Sequence, residues 1–178
     1  VTIPSFALIA NNGFTTEDYP EPEDWASVIA RMGLRRLEYF ADHMEPVLLR
    51  RVIEEESAFF QATQQALAAH GLAVWSGATA RISYLLNMLS HPYADCRREA
   101  VRWCCAFIDL TLKLGGRYIS GHYDCISKPE VARNLDGALN RLVEGLLEVA
   151  AYAASAGLDG VFVEQMHRAQ LQPYTIEG

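Results

Sequence analysis

The 178-residue sequence contains no cysteine pair spaced C-x-x-C and no lysine or arginine run longer than two. It also lacks G-x-G-x-x-G, G-x-x-x-x-G-K-[ST] and any apolar run long enough to span a bilayer. Each absence removes a class. With 15 basic against 22 acidic residues and a net charge of −7, a phosphate-backbone binder has no footing, and no nucleic-acid partner is expected. Without a glycine-rich phosphate loop, the common nucleotide-binding sheets lose their signature. Cys96, Cys104, Cys105 and Cys125 show no metal or redox spacing, and the adjacent Cys104 and Cys105 read as helix packing. With no signal-peptide pattern and no spanning segment, the expectation is a reduced, cytoplasmic compartment and no membrane partner.

What is present is a repeat. Four times a helix-like stretch ends in glycine and a strand candidate follows: Gly33 into LRRLEYF, Gly71 into LAVWSGA, Gly115-Gly116 into RYISGHY, and Gly157 into LDGVFVE. Glycine just past a helix takes the left-handed conformation that other residues resist. Strands are predicted at Phe6 to Ala10, Arg36 to Phe40, Ala73 to Ser76, Tyr118 to Ser120 and Val161 to Val163. Helices are predicted from Pro22 to Met32, up to His70, from Ala94 to Leu114, and from the capping box Ser127-Lys128-Pro129-Glu130 to Ala156, with a break near Asp136-Gly137. The stripe facing the sheet from the third helix is read as Val101, Cys105, Ile108 and Leu112. Five strands and four helices in β-then-α order imply a parallel sheet with right-handed crossovers. At 51% hydrophobic residues, the chain can fill the core of one domain.

Two architectures fit, an open doubly wound sheet or part of a (β/α)8 TIM barrel. Strand ends here are polar or ionisable in nearly every unit: Asn11, Glu38, Ser76, His122 and Glu164. Side chains converging from several strand ends are what a barrel site requires, so the α/β barrel is the expectation. Glu164 stands out among them, since a carboxylate directly after a buried apolar run sits at the rim where α/β proteins keep their chemistry.

The sequence resembles the xylose isomerase-like TIM barrels, the sugar phosphate isomerase/epimerase family. The matching pieces are Leu37-Glu38-Tyr39, the third-loop YLLNMLSHP, Gly121-His122-Tyr123, and Val163-Glu164-Gln165-Met166 followed by Pro173-Tyr174-Thr175-Ile176. The resemblance implies that Glu164 is a divalent metal ligand and an acid/base. It implies three further ligands from strands six, seven and eight, which are not in this chain. A whole barrel takes roughly 250 residues or more. The expectation is therefore a single domain, residues 1–178, present as a partial barrel truncated after strand five and inactive by itself. Thr175 to Gly178 reads as the first turn of the next helix. Two departures stand out. Gln165 replaces the proline of many relatives, and Gln170 stands where ketose 3-epimerases carry a second glutamate, which leaves isomerisation beside epimerisation.

The implied reaction moves a proton next to a sugar carbonyl. A hard cation, Mn²⁺ or Mg²⁺ with Zn²⁺ or Co²⁺ as alternatives, would hold the oxygens, and the implied partner is a sugar or sugar phosphate. His122, one strand from Glu164, is a candidate for a substrate oxygen. Asn87 and His91 lie in a long loop that could cover the barrel mouth, with His91 before proline equally a turn residue. Glu38 either points into the site or pairs with Arg36 or Arg81. Trp75 packs the barrel or lines a sugar face. The open edges of strands one and five suggest association with another copy. Two other classes remain open, an endonuclease IV-like metal phosphodiesterase and a non-catalytic partial-barrel interaction module.

Overall fold

Four tight turns set the architecture. The computed structural model describes residues 8–14, 18–19, 21–40, 57–79 and 81–174. In it the four junction glycines all lie in the left-handed region, Gly33 at φ 78°, Gly71 at 61°, Gly115 at 85° and Gly157 at 96°. Each feeds a strand within three residues. The described elements are β1 (Ile9–Asn11), α1 (Pro22–Arg31), β2 (Arg36–Phe40), α2 (Ala58–Ala69), β3 (Ala73–Thr79), α3 (Arg81–Leu85), α4 (Ala94–Lys113), β4 (Tyr118–Gly121), α5 (Lys128–Arg133), α6 (Leu135–Ala156) and β5 (Gly160–Val161), with a 3-10 turn at Asn12–Phe14.

The five strands pair in parallel, in the order β1-β2-β3-β4-β5. That order decides between the two architectures. A doubly wound sheet reverses its strand order partway across, whereas a barrel advances one strand at a time in one direction. The helices cover one face of the sheet. Leu37 and Tyr39 of β2 are buried on that side, Tyr39 meeting Trp25 edge-on at 6.2 Å. Helix α4 comes so close to β3 that a side chain at Gly77 would strike Phe107 at 2.7 Å. No described helix is long and apolar enough to cross a membrane.

Several elements differ from the sequence reading. The buried stripe of α4 is Ala100, Trp103, Cys104, Phe107, Ile108 and Thr111, with Val101, Cys105 and Leu112 at its margin. Trp103 stacks on Phe107 at 5.8 Å, and these two large rings turn the helix by one position. The long helix after β4 breaks at Asn134 (φ −156°, ψ 46°), not at Asp136-Gly137, and Gly137 lies under the Asn134 amide. The Ser127 hydroxyl accepts from the Glu130 amide at 3.4 Å, as a capping box requires, but Glu130 spends its carboxylate on Arg141 at 2.6 Å. Helix α2 is capped by Ser57 and buries Phe60, Thr63, Ala66 and Leu67, as read from the sequence. Strand β5 is shorter than its apolar run, with Phe162 and Val163 exposed. Among the described residues its ladder bonds continue on the β4 side, Phe162 N–H to the Ile119 carbonyl and Glu164 N–H to the Gly121 carbonyl, both at 2.9 Å. Phe6 and Ala7 of predicted strand one, the segment Asp42-His43-Met44-Glu45, and Thr175 to Gly178 lie outside the described residues.

Candidate active site

The first four strands turn their polar side chains toward one carboxylate. Asn11 Nδ2 donates to Glu38 Oε2 at 2.9 Å, while Ser76 Oγ and Ser120 Oγ donate to Glu38 Oε1 at 3.1 and 2.5 Å. A bulge makes this possible. The register steps from Leu37 opposite Val74 to Glu38 opposite Ser76, passing over Trp75. Such an extra residue re-aims side chains beside a site. Trp75 joins a row of tilted rings with Tyr118 at 5.4 Å and, through it, Phe162 at 5.5 Å, and the Arg36 guanidinium lies 5.0 Å from the Trp75 ring centre. Glu38 is therefore bonded to neutral donors, and Arg36 is engaged elsewhere. The Arg81 side chain is outside the described part.

At the end of β4 the chain turns on Gly121, whose φ of 133° no other residue adopts readily. A side chain there would run into the Thr79 carbonyl. The turn lets the His122 amide donate to that same carbonyl at 3.3 Å. The His122 ring is wholly buried and stacks on Tyr84, 5.5 Å away at 23°. Among the described residues neither ring nitrogen has a hydrogen-bond partner of ordinary geometry, and burial pushes the imidazole down to about 4. The Asp124 backbone favours the charged ring without completing such a bond, and the Arg168 cation opposes it. The ring is therefore neutral at pH 7, with a donor and an acceptor unspent. Asp124, also buried, accepts from the amides of Met88 at 2.7 Å and Ser90 at 2.5 Å, fixing the loop after β3 to the end of β4. Burial raises its carboxyl, and those two amides hold it back.

Glu164 follows β5 and is exposed. Its carboxyl is raised, first by partial burial against the sheet rim and then by the charge of Glu38. The buried Tyr123 hydroxyl has no hydrogen-bond partner among the described residues, and its pKa is raised by burial, then by Cys104, Glu164 and Glu38. Glu38, Tyr123 and Glu164 thus share one field, with His122 next in chain to Tyr123.

The other two predicted residues lie in the loop after β3. Asn87 Oδ1 accepts from Ser90 Oγ at 2.9 Å, and His91 Nδ1 accepts from the Tyr93 amide at 3.1 Å, the turn role. Both line a groove of about 420 Å³ between the β3 loop and α4, with Leu86, Met88 and Trp103. Reasoning from sequence missed Asp124, Tyr84 and Ser120, and named Ser76 as a converging strand-end residue without its bond to Glu38. Asp124 was the most findable, being an acid two residues beyond a strand-end histidine.

For a divalent cation, the donor chemistry fits in part. An exposed carboxylate repelled by a second one is a hard oxygen donor that a cation would relieve. Among the described residues no group of three His, Cys, Asp or Glu side chains comes together.

No family model matches the sequence. The chain is 29% identical over 170 residues to the D-erythrulose 1-phosphate 3-epimerase of Brucella abortus, covering 91% of this chain and 52% of that protein. It therefore spans about half the length of the curated relative it matches. Among solved structures it is similar to a xylose isomerase candidate of Rhodospirillum rubrum, with a TM-score of 0.78 at 21% identity over 96% of this chain and 58% of that one. It is also similar to a D-psicose 3-epimerase (0.66, 14%, 93% and 54%) and to the 3-keto-D-glucoside 4-epimerase of E. coli (0.64, 17%, 94% and 59%). In fold the chain is similar to these sugar isomerase and epimerase structures, and its described residues supply five consecutive parallel strands with the helices between them.

Proposed function

We propose that this chain forms part of an isomerase or epimerase that transfers a proton next to the carbonyl of a sugar or sugar phosphate. The observation that carries the reading is Glu164, an exposed strand-end carboxylate raised by its surroundings and by Glu38, in a chain similar to a sugar phosphate 3-epimerase. A carboxyl raised above its ordinary value holds and returns a proton more readily than a free one, as an acid/base requires. In this reading residues 1–178 belong to a single barrel domain, and the other metal ligands come from strands beyond β5.

Glu164 would hold one coordination position of a Mn²⁺ or Mg²⁺ ion through one oxygen. The bound cation supplies charge stabilisation at the carbonyl and hydroxyl oxygens. The protein groups do the rest. Glu164 moves the proton with its second oxygen, and Glu38, fixed by three donors, keeps the Glu164 carboxyl raised. His122, neutral and unpaired, hydrogen-bonds a substrate oxygen. Asn87 and His91 act through the loop that Asp124 ties down. The test is solvent deuterium incorporation beside the carbonyl of tetrose to hexose ketoses and their phosphates, with the full-length protein and added Mn²⁺ or Mg²⁺. Conversion with label is expected. No conversion across that panel would overturn the reading.

A further inference from the structure

Helix α4 carries an exposed row of four charges, Asp95, Arg98, Glu99 and Arg102, joined as the pairs Asp95–Arg98 and Glu99–Arg102. Steps of three, four and seven residues keep all four on one helix face. The row is antisymmetric about its middle: acid 95 answers base 102, and base 98 answers acid 99. Laid antiparallel against its own copy, such a row sets every acid against a base of the partner. That is what a two-fold interface requires of its charges.

Beside the row lies the groove of about 420 Å³ between α4 and the loop after β3, and Glu99 belongs to both. Leu85, Leu86 and Met88 line it from the loop, Ala100 and Trp103 from the helix. Leu85 is 80% exposed and Leu86 52%, so two adjacent leucines face water at the edge of an apolar groove. Exposed apolar surface rimmed by charge marks a protein-facing patch. Further strands would not cover it. Helix α4 lies between β3 and β4, in the middle of the run β1-β2-β3-β4-β5, and a sheet can grow only beyond β1 or β5.

We propose that this face binds a second copy of the same chain, about a two-fold axis passing between residues 98 and 99 of α4. Asp95 then meets the partner's Arg102, and Arg98 the partner's Glu99. An antiparallel pair of this kind presents the same flank of each helix to its copy, so groove opposes groove. The leucines of both copies are buried at the centre, with the charges at the rim, the usual arrangement of an interface. An exposed pair within one helix contributes little by itself; here each pair becomes half of a four-charge network.

Cys96 is exposed and lines the groove, so it reports on the register. With Asp95 opposite Arg102, the two Cys96 residues are offset by about 7–8 Å along the helix, within reach of a short bismaleimide. Full-length protein treated with bismaleimidoethane should give a covalent dimer whose linked peptide, read by mass, joins Cys96 to Cys96. Arg98→Glu with Arg102→Glu makes the row wholly acidic, and Asp95→Lys with Glu99→Lys makes it wholly basic. Each double variant alone should lose about 10-fold or more in crosslink yield, because like charges then oppose one another. An equimolar mixture of the two should recover the yield as a heterodimer. Leu85→Glu should lower it as well. Single-armed Cys96 adducts alone from the parent, as a monomer or a groove serving another occupant would give, overturn the proposal. So does a parent crosslink that neither double variant weakens, or a loss that the mixture fails to recover.

Discussion

Glu38 and Glu164 occupy the same kind of place, the carboxyl end of a parallel strand, and their surroundings are opposite. Glu38 accepts from Asn11, Ser76 and Ser120, so its charge is held by neutral donors on three other strands. Glu164 is exposed, has no such donor among the described residues, and carries a raised carboxyl. Those bonds fix Glu38 in place, whereas partial burial and then the charge of Glu38 make the Glu164 carboxyl hold a proton more readily than an ordinary one. The position rule for barrel chemistry finds both residues; only the donors around them tell the two apart.

The largest expected effect tests the Glu164 half of that contrast. Glu164→Gln in the full-length protein should lower turnover by at least ~10²–10⁴-fold, the loss usual for a general base, while chemical denaturation shows stability within ~0.5 kcal/mol of the parent. Glu38→Ala should reverse the emphasis. Three donors lose a charged acceptor, so denaturation should reveal a loss of about 2 kcal/mol or more. If Glu38→Ala proves neutral in stability, the contrast collapses.

Gly121→Ala tests the turn that brings His122 to the site. Its φ of 133° and the Thr79 carbonyl in the path of a side chain should together cost about 1–3 kcal/mol. His122 itself should be visible in the pH dependence of folding. Its folded pKa of about 4 lies below the ordinary 6.5, so the unfolded chain takes up the proton first. The contribution is complete above pH 6.5 and is lost as pH falls toward 4, about 3 kcal/mol in all. Asp124 and Glu164, both raised, work in the opposite sense over the acid range. The measurement is therefore a difference: denaturation of the parent and of His122→Asn at pH 7 and pH 5. The variant should show a shallower fall, and parallel curves would refute the assignment. The smallest effect is expected at His91, whose ring nitrogen accepts from the Tyr93 amide in a turn. His91→Ala should change KM for the sugar by less than about 3-fold, in line with a surface change away from a site.

Much of this architecture was legible in the sequence because the signals were local. Glycine after each helix, apolar strand cores and the caps at Pro22 and Ser127 act within a few residues of themselves, and those elements lie where they were read. What escaped depends on partners distant in the chain. The donors on Glu38 come from positions 11, 76 and 120, and the bulge that aligns Ser76 with it is set by pairing across β2 and β3. The turn of α4 follows from Trp103 and Phe107 packing together against the sheet, which Val101 and Cys105 could not reveal. Asp124 looked like one more polar loop residue until its two amide donors from the preceding loop were in view.

The glycine turns make the molecule editable from one end only. Through them the sheet's bonding begins before the strands do: Ala73 N–H donates to the Arg35 carbonyl at 3.0 Å, Arg117 N–H to Trp75 at 2.9 Å and Asp159 N–H to Arg117 at 2.8 Å. Each turn is indexed to the one before it. A single inserted residue there would shift the following strand by one position and exchange its helix-facing and interior-facing side chains. At the opposite rim, the described connections from strand to helix differ in length and content and are tied to one another farther from the strand ends, Cys125 N–H to the Leu86 carbonyl at 3.1 Å and Ile126 N–H to the Gln170 carbonyl at 2.8 Å. New specificities in this scaffold would therefore be grown by lengthening the loops beyond Thr79, Gly121 and Val161, while the glycine end stays closed to revision.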